Sequence, residues 1–154
     1  MGLDLMLYAV PHTEEPSWEM FNDERTEELA YGRKAWEICN FFGAAEEPYY
    51  HKVSLEDWEA FMEQLEPIGN KLDAIWDAFD KYSNMPEDFG DYILTDDEKR
   101  LIAEYEYWYN KTWDDTPTLG YFFSVSYMRK FWLANEKVRK YLNDGYDIYI
   151  EASY

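Results

Sequence analysis

The order of apolar and polar positions predicts short strands near both ends of the chain. Residues 3–10 are apolar and β-compatible and stop at Pro11, which predicts an initial strand. Residues 146–150 alternate in the manner of a last strand, and we expect it to pair with the first. A further short extended segment is predicted at residues 50–53. Both terminal strands are therefore expected in one small sheet.

A first helix is predicted after a loop over residues 12–23. Its acidic start lies near residues 23–26, and Gly43 ends it after Phe42. The positions at helical spacing are Leu29, Ala30, Arg33, Trp36, Ile38 and Phe41. This segment is therefore expected to pack one face on the core.

A second, longer helix is predicted after Ser54. Serine is a favoured N-cap, and Asp57 three residues later forms an imperfect capping box. Apolar residues recur every three or four positions as far as Phe79. The rhythm continues across Pro67 and Gly69, and these two residues predict a kink or a break there.

A third helix is predicted from a capping box at residues 95–98 to about Trp113, after a loop over residues 82–93. It is rich in aromatic residues, which are Tyr105, Tyr107, Trp108, Tyr109 and Trp113. They cover more than one face, so the helix is either buried on two sides or exposes an aromatic patch. Glutamates interleave the aromatic run, which argues against stacking of nucleic-acid bases because such sites need positive charge.

The last third of the chain is predicted to contain a turn, an extended segment and a helix. The turn covers residues 114–120, the extended segment 121–125, and the helix runs from Ser126 to Gly145. With 47% hydrophobic and 20% aromatic residues, the chain can bury a core of its own. We therefore predict one mainly helical α+β domain over residues 1–154, with about four helices packed on the small sheet.

The net charge of the chain bears on which partners this domain can bind. The 33 acidic residues exceed the 14 Lys and Arg, for a net charge of −19, and residues 1–98 carry all of that excess. Such a body repels nucleic acid and anionic membranes and attracts basic protein surfaces. The alternative is that the acids only keep an aromatic-rich domain soluble.

The acidic residues of the second helix recur at three- and four-residue intervals. The row consists of Glu56, Glu59, Glu63 and Glu66, followed by Asp73 and Asp77. On a helix this spacing places carboxylates about 5–6 Å apart along one face, comparable to phosphates along a DNA strand. These six residues are the predicted partner-binding site. The alternative is the ordinary solvated side of an amphipathic helix.

Motifs for catalysis are not found. The sequence has no glycine-rich phosphate loop and no nucleophile elbow. Cys39 with His51 could form a dyad only after folding, and a buried helix cysteine is the simpler interpretation. Asp4, Asp114 and Asp115 are nominal candidates for a carboxylate–metal site. We therefore predict no enzymatic activity, no metal and no cofactor.

The setting of the protein is predicted from its first residues and its cysteine content. The N-terminus lacks the basic region and cleavage site of a secretory signal, and no apolar run is long enough to span a bilayer. A single cysteine permits no internal disulfide. A soluble protein of a reducing cytoplasm is expected.

Several blocks together resemble a family of small phage and prophage proteins. These blocks are residues 1–4 (MGLD), 29–42 (LAYGRKAWEICNFF), 50–54 (YHKVS), 116–123 (TPTLGYFF) and 146–154 (YDIYIEASY). Members typically begin MGLDMYL, carry a YWRKAN-IHNWF-like block and end in a Y-x-x-S-aromatic tail. The chain departs from this pattern at Gly32, where the family usually has Trp, and at Cys39, where it usually has His.

The resemblance implies a viral origin and no settled activity. Small acidic phage proteins are often counter-defence factors, including anti-CRISPR and anti-restriction proteins that act as DNA mimics. The leading hypothesis is an inhibitor in the host bacterial cytoplasm that binds a basic surface of a nuclease or CRISPR effector, without binding nucleic acid or membrane itself. Two alternatives remain open, namely a phage interaction protein for host takeover or assembly, and a small-ligand sponge or hydrolase that acts on a defence signal. The oligomeric state is not predicted.

Overall fold

A four-stranded antiparallel sheet forms the base of the fold. The computed structural model describes residues 3–33, 35–83, 94–113 and 121–153. The strands are β1 (Asp4–Pro11), β2 (Glu27–Arg33), β3 (Tyr50–Val53) and β4 (Tyr146–Ser153), in the spatial order β2-β1-β4-β3. The predicted α+β class is confirmed, as is the predicted sheet with both terminal strands.

The two terminal strands are the central pair of the sheet. Leu5 lies opposite Ala152, and Leu7 lies opposite Ile150 in an antiparallel register. Because side chains alternate along a strand, these residues all point to one face, where they are buried in the core. The two terminal strands therefore contribute one apolar face of the sheet to the core.

Helices cover that face of the sheet. They are α1 (Trp36–Phe42), α2 (Leu55–Gly69), α3 (Leu72–Ser83), α4 (Asp96–Trp113), α5 (Tyr121–Leu133) and α6 (Asn135–Asn143). The other face is covered at one end by a 3-10 helix, Trp18–Asn22, whose Met20 and Phe21 pack on Val10 and Tyr149. Among the described residues, no helix combines the length and apolarity needed to cross a membrane.

The predictions for the long middle helix are confirmed. The backbone N–H of Asp57 donates to Ser54 Oγ over 3.1 Å at the start of α2. The helix stops after Gly69, and α3 begins at Leu72, so the predicted interruption is a break. The predicted loop at residues 82–93 lies outside the described residues, apart from residues 82 and 83, which end α3.

The capping box at the start of α4 is also confirmed. Thr95 Oγ1 accepts from the Glu98 backbone N–H, and Glu98 Oε1 accepts from the Thr95 N–H, at 3.1 and 3.0 Å. Of the aromatic residues on α4, Tyr105 and Trp108 are buried and Tyr107 is 69% exposed. Among the aromatic side chains of α4 that the structure describes, two therefore lie on the core side and one is in solvent.

The prediction of a helix from residues 23–26 to Phe42 is wrong over its first half. Residues 27–33 form the edge strand β2, and only residues 36–42 are helical. Asp23 Oδ1 accepts from the backbone N–H of Arg25. The predicted helix start at Asp23 is therefore a turn. A register shift opposite the Leu7/Tyr8 step breaks the two-residue alternation of the strand, which concealed it in the sequence.

The extended segment predicted at residues 121–125 is also wrong, because these residues begin α5. Aromatic and β-branched residues favour strands locally, but packing overrides that preference. Val125, Met128 and Phe131 recur every three residues and are all fully buried. The predicted turn at residues 114–120 lies outside the described residues.

Candidate partner-binding surface

The six predicted partner-binding residues are all exposed. We call this set the acidic face, and it consists of Glu56, Glu59, Glu63, Glu66, Asp73 and Asp77. On α2 the opposite side is buried, through Trp58, Phe61 and Leu65. Helical periodicity therefore turns the four glutamates outward along one side of α2.

The glutamate row of α2 is short. Glu56 and Glu66 are ten residues apart, which corresponds to a rise of about 15 Å at 1.5 Å per residue. Four carboxylates are thus distributed over a length that a single nucleic-acid strand fills with four or five phosphates, at about 3.4 Å each. The linear charge density is close to that of one strand and well below that of a duplex.

Arg139 forms an ion pair with one of the four α2 glutamates. Its Nη1 lies 3.2 Å from Glu59 Oε1, and its Nε donates to Asn135 Oδ1 over 3.0 Å. The same amide oxygen accepts from the indole N–H of buried Trp58 over 2.9 Å. Asn135 therefore holds the arginine in place, and Glu59 is neutralised within the chain.

A second arginine neutralises the α3 end of the acidic face. Arg129 Nη1 lies 3.2 Å from Asp73 Oδ1. Within the described residues, none of the other four members forms an ion pair, and these are Glu56, Glu63, Glu66 and Asp77. Two members of the acidic face are therefore paired within the chain, and the other four keep their negative charge without an ion pair among the described residues.

The basic cluster of the C-terminal helices folds back onto the acidic part of the same chain. Besides Arg129 and Arg139, Lys137 lies 3.7 Å from Glu27 on β2. Lys130 lies over the ring of Tyr127, 5.7 Å from its centroid. The uneven charge distribution in the sequence is thus partly balanced by contacts inside the molecule.

A cleft opens beside the α2 row, where α2 meets α5 and α6. Its volume is about 410 Å³, and Glu59, Glu63 and Glu66 lie at its margin. Met62 and Trp132 contribute apolar surface to it. No local sequence pattern predicts that Trp132 lies here, because its place depends on how α5 packs on α2.

Asp147, on the sheet face away from the helices, has fixed partners. Asp147 Oδ2 lies 2.8 Å from His12 Nδ1, and Asp147 Oδ1 lies 3.2 Å from Lys52 Nζ. Hydrogen bonds to Glu14 and then to Asp147 raise the pKa of His12. Burial raises the pKa of Glu151 on the same face. Asp147 therefore links β4 to Lys52 on β3 and to His12, which follows β1.

The nominal catalytic and metal-binding candidates that the structure describes each have separate surroundings. Cys39 is fully buried, and desolvation raises the pKa of its thiol, which is the reverse of an activated thiolate. His51 Nε2 lies 2.9 Å from the carbonyl oxygen of Glu46. Asp4 accepts from the hydroxyl of Tyr31 over 2.6 Å, and Asp114 and Asp115 lie outside the described residues. No group of three or more His, Cys, Asp or Glu in the described ranges is arranged to hold a metal ion.

Comparison of the chain with protein-family models, with curated proteins and with solved structures found no match.

Proposed function

We propose that this protein is a phage-encoded inhibitor of a bacterial nucleic-acid-binding defence complex, of the anti-CRISPR or anti-restriction type. In this proposal the acidic face occupies a basic channel of the complex and excludes the nucleic acid. The observation that carries the proposal is the exposure of all six carboxylates, four of them without an ion pair in the described part of the chain. The resemblance to phage and prophage proteins supports the bacterial setting.

The net charge of −19 supports the same function at longer range. A charge of this size accelerates encounter with a basic surface at low salt and repels nucleic acid. The spacing of the α2 row corresponds to a short single strand rather than to a duplex. A channel for guide RNA or for a displaced single strand is therefore the better match.

The test is a DNA-cleavage assay with purified CRISPR effectors and restriction nucleases, at about 50 mM and about 200 mM salt. We expect one of these enzymes to be inhibited at low salt, with inhibition weakening steeply at the higher concentration. The triple variant Glu56→Gln, Glu63→Gln, Glu66→Gln should inhibit at least about tenfold less well, because it removes three unpaired carboxylates.

A matched control changes the same number of charges elsewhere. Glu15, Glu19 and Glu24 are exposed and lie around the 3-10 helix on the other side of the sheet. Their replacement by Gln should leave inhibition within about twofold, since long-range steering alone is changed equally in both triples. Equal losses in the two triple variants would contradict a role for the acidic face.

A second candidate function is favoured by one observation, an aromatic cluster on the same side as those control residues. Trp18 is 46% exposed, and its ring centroid lies 4.9 Å from that of Tyr50. Tyr and Trp are common anchors of protein interfaces. Partner binding whose affinity does not change with salt concentration, and which is lost in Trp18→Ala, would support an interaction protein for host takeover or assembly.

A further inference from the structure

The cleft beside the α2 row combines an aromatic ring with carboxylates. We call it the Trp132 cleft, and it is the 410 Å³ space lined by Met62, Trp132 and the three glutamates Glu59, Glu63 and Glu66, with Arg139 at one side. Apolar and acidic surface meet in this cleft. A ligand that fits it must therefore offer both positive charge and a weakly hydrated surface.

Close packing fixes the position of the indole ring. A Cβ atom built on Gly69 would lie 2.4–2.6 Å from three contiguous ring atoms of Trp132. Such a point lies above the plane of the ring, so one face of the indole is pressed against the backbone of α2. The glycine at the end of α2 thus allows Trp132 to lie flat beside the glutamates.

The charges around the ring are unequal. Arg139 is paired with Glu59, so those two residues offset each other. Glu63 and Glu66 have no ion pair within the described residues, and both are exposed. The cleft therefore carries an uncompensated charge of two negatives next to an indole.

We propose that the Trp132 cleft receives one arginine side chain of the protein partner. The guanidinium is planar and weakly hydrated, and it stacks on aromatic rings while its N–H groups donate to carboxylates. Here the ring is Trp132 and the acceptors are Glu63 and Glu66. Lysine satisfies the charge but does not stack as well, so the cleft selects arginine. This inference rests on the proposed function, because it names the anchor by which a basic channel is recognised.

The experiment uses hexa-arginine and hexa-lysine as probes, with NMR of the indole N–H groups of the seven tryptophans. The resonance of Trp132 is assigned by its loss in Trp132→Phe. We expect hexa-arginine to shift this resonance most, and to bind at least about threefold more tightly than hexa-lysine at low salt. Equal binding of the two peptides, or shifts centred on other tryptophans, would overturn the proposal.

Two double variants with the same charge change locate the binding. Glu63→Gln with Glu66→Gln should weaken hexa-arginine binding by about fivefold to tenfold. Glu56→Gln with Asp77→Asn alters acidic-face residues away from the cleft and should weaken it by no more than about twofold. All four residues are exposed, so both proteins should fold.

The outcomes separate this inference from the proposed function. Equal weakening in the two double variants would overturn the arginine cleft and leave the acidic face intact as a mimic. Peptide binding that depends on Glu63 and Glu66, in a protein that inhibits no nuclease, would support the cleft and contradict the proposed function.

Discussion

Carboxylates on two sides of this molecule have opposite surroundings. On the sheet face away from the helices, the Asp147 side chain is only 11% exposed and lies within 3.2 Å of both Lys52 and His12. On α2, Glu63 and Glu66 are exposed and have no ion pair among the described residues. The first kind of carboxylate stabilises the fold, whereas the second kind contributes little to it.

The difference shows where the excess charge of the protein is available for binding. A buried carboxylate needs partners because desolvation of an unpaired charge is costly. An exposed carboxylate keeps its water and contributes little to stability. The negative charge of α2 is therefore not explained by folding, and it stands beside the Trp132 cleft, where a basic partner would meet it.

The largest expected effect on stability comes from Asp147. Replacement by Ala should lower the free energy of unfolding by about 1–2 kcal/mol, since it removes the ion pair with Lys52 and the contact with His12, two side chains that are each about half-exposed. Glu63→Ala is the matched variant on α2 and should change it by no more than about 0.5 kcal/mol. Urea unfolding of both proteins checks the prediction. Similar losses would show that the two kinds of carboxylate do not differ.

A smaller effect on the free energy of unfolding is expected from Glu98, and it depends on acid pH. Its hydrogen bonds to Lys81 and to the Thr95 backbone N–H lower its pKa from 4.5 to about 2. A lowered pKa stabilises the folded state above pH 4.5, and this contribution is lost as the pH falls toward 2. The stability difference between the wild type and Glu98→Gln should therefore shrink over this range. A stability difference between the two proteins that stays constant down to pH 2 would contradict the lowered pKa of Glu98.

The smallest effect on the stability of the fold is expected from His12, whose side chain is half-exposed. Its pKa is raised above 6.5, so its contacts stabilise the fold fully below that pH and lose their effect as the pH rises through the raised value. NMR titration should give a pKa above 6.5, and Glu14→Gln should lower it because the hydrogen bond to Glu14 is the main cause. A pKa unchanged in this variant would assign the shift to Asp147 instead.

Much of the fold could be predicted where local signals agree with packing. The apolar run at residues 3–10 and the alternation at residues 146–150 predicted the central strand pair, and Ser54 and Thr95 marked the starts of α2 and α4 correctly. The strand β2 was missed because its register shift hides the alternation. The start of α5 was missed because aromatic residues with a local strand preference are helical there.

The candidate site was only half predictable from the sequence. Spacing along α2 was enough to predict that its glutamates share one exposed side. The pairing of Glu59 with Arg139, and the place of Trp132 on Gly69, depend on how α5 and α6 pack on α2. Such contacts join residues far apart in the chain, so no local sequence pattern predicts them.

The most direct test of the central claim is displacement of a nucleic acid from the inhibited nuclease. A labelled single-stranded oligonucleotide is bound to the purified effector, and its fluorescence anisotropy is followed while the protein is added at low salt. We predict that the oligonucleotide is released, and that the variant Glu56→Gln, Glu63→Gln, Glu66→Gln requires at least about tenfold more protein to release it. A complex that contains the nuclease, the protein and the oligonucleotide together would contradict the claim that the acidic face takes the place of nucleic acid.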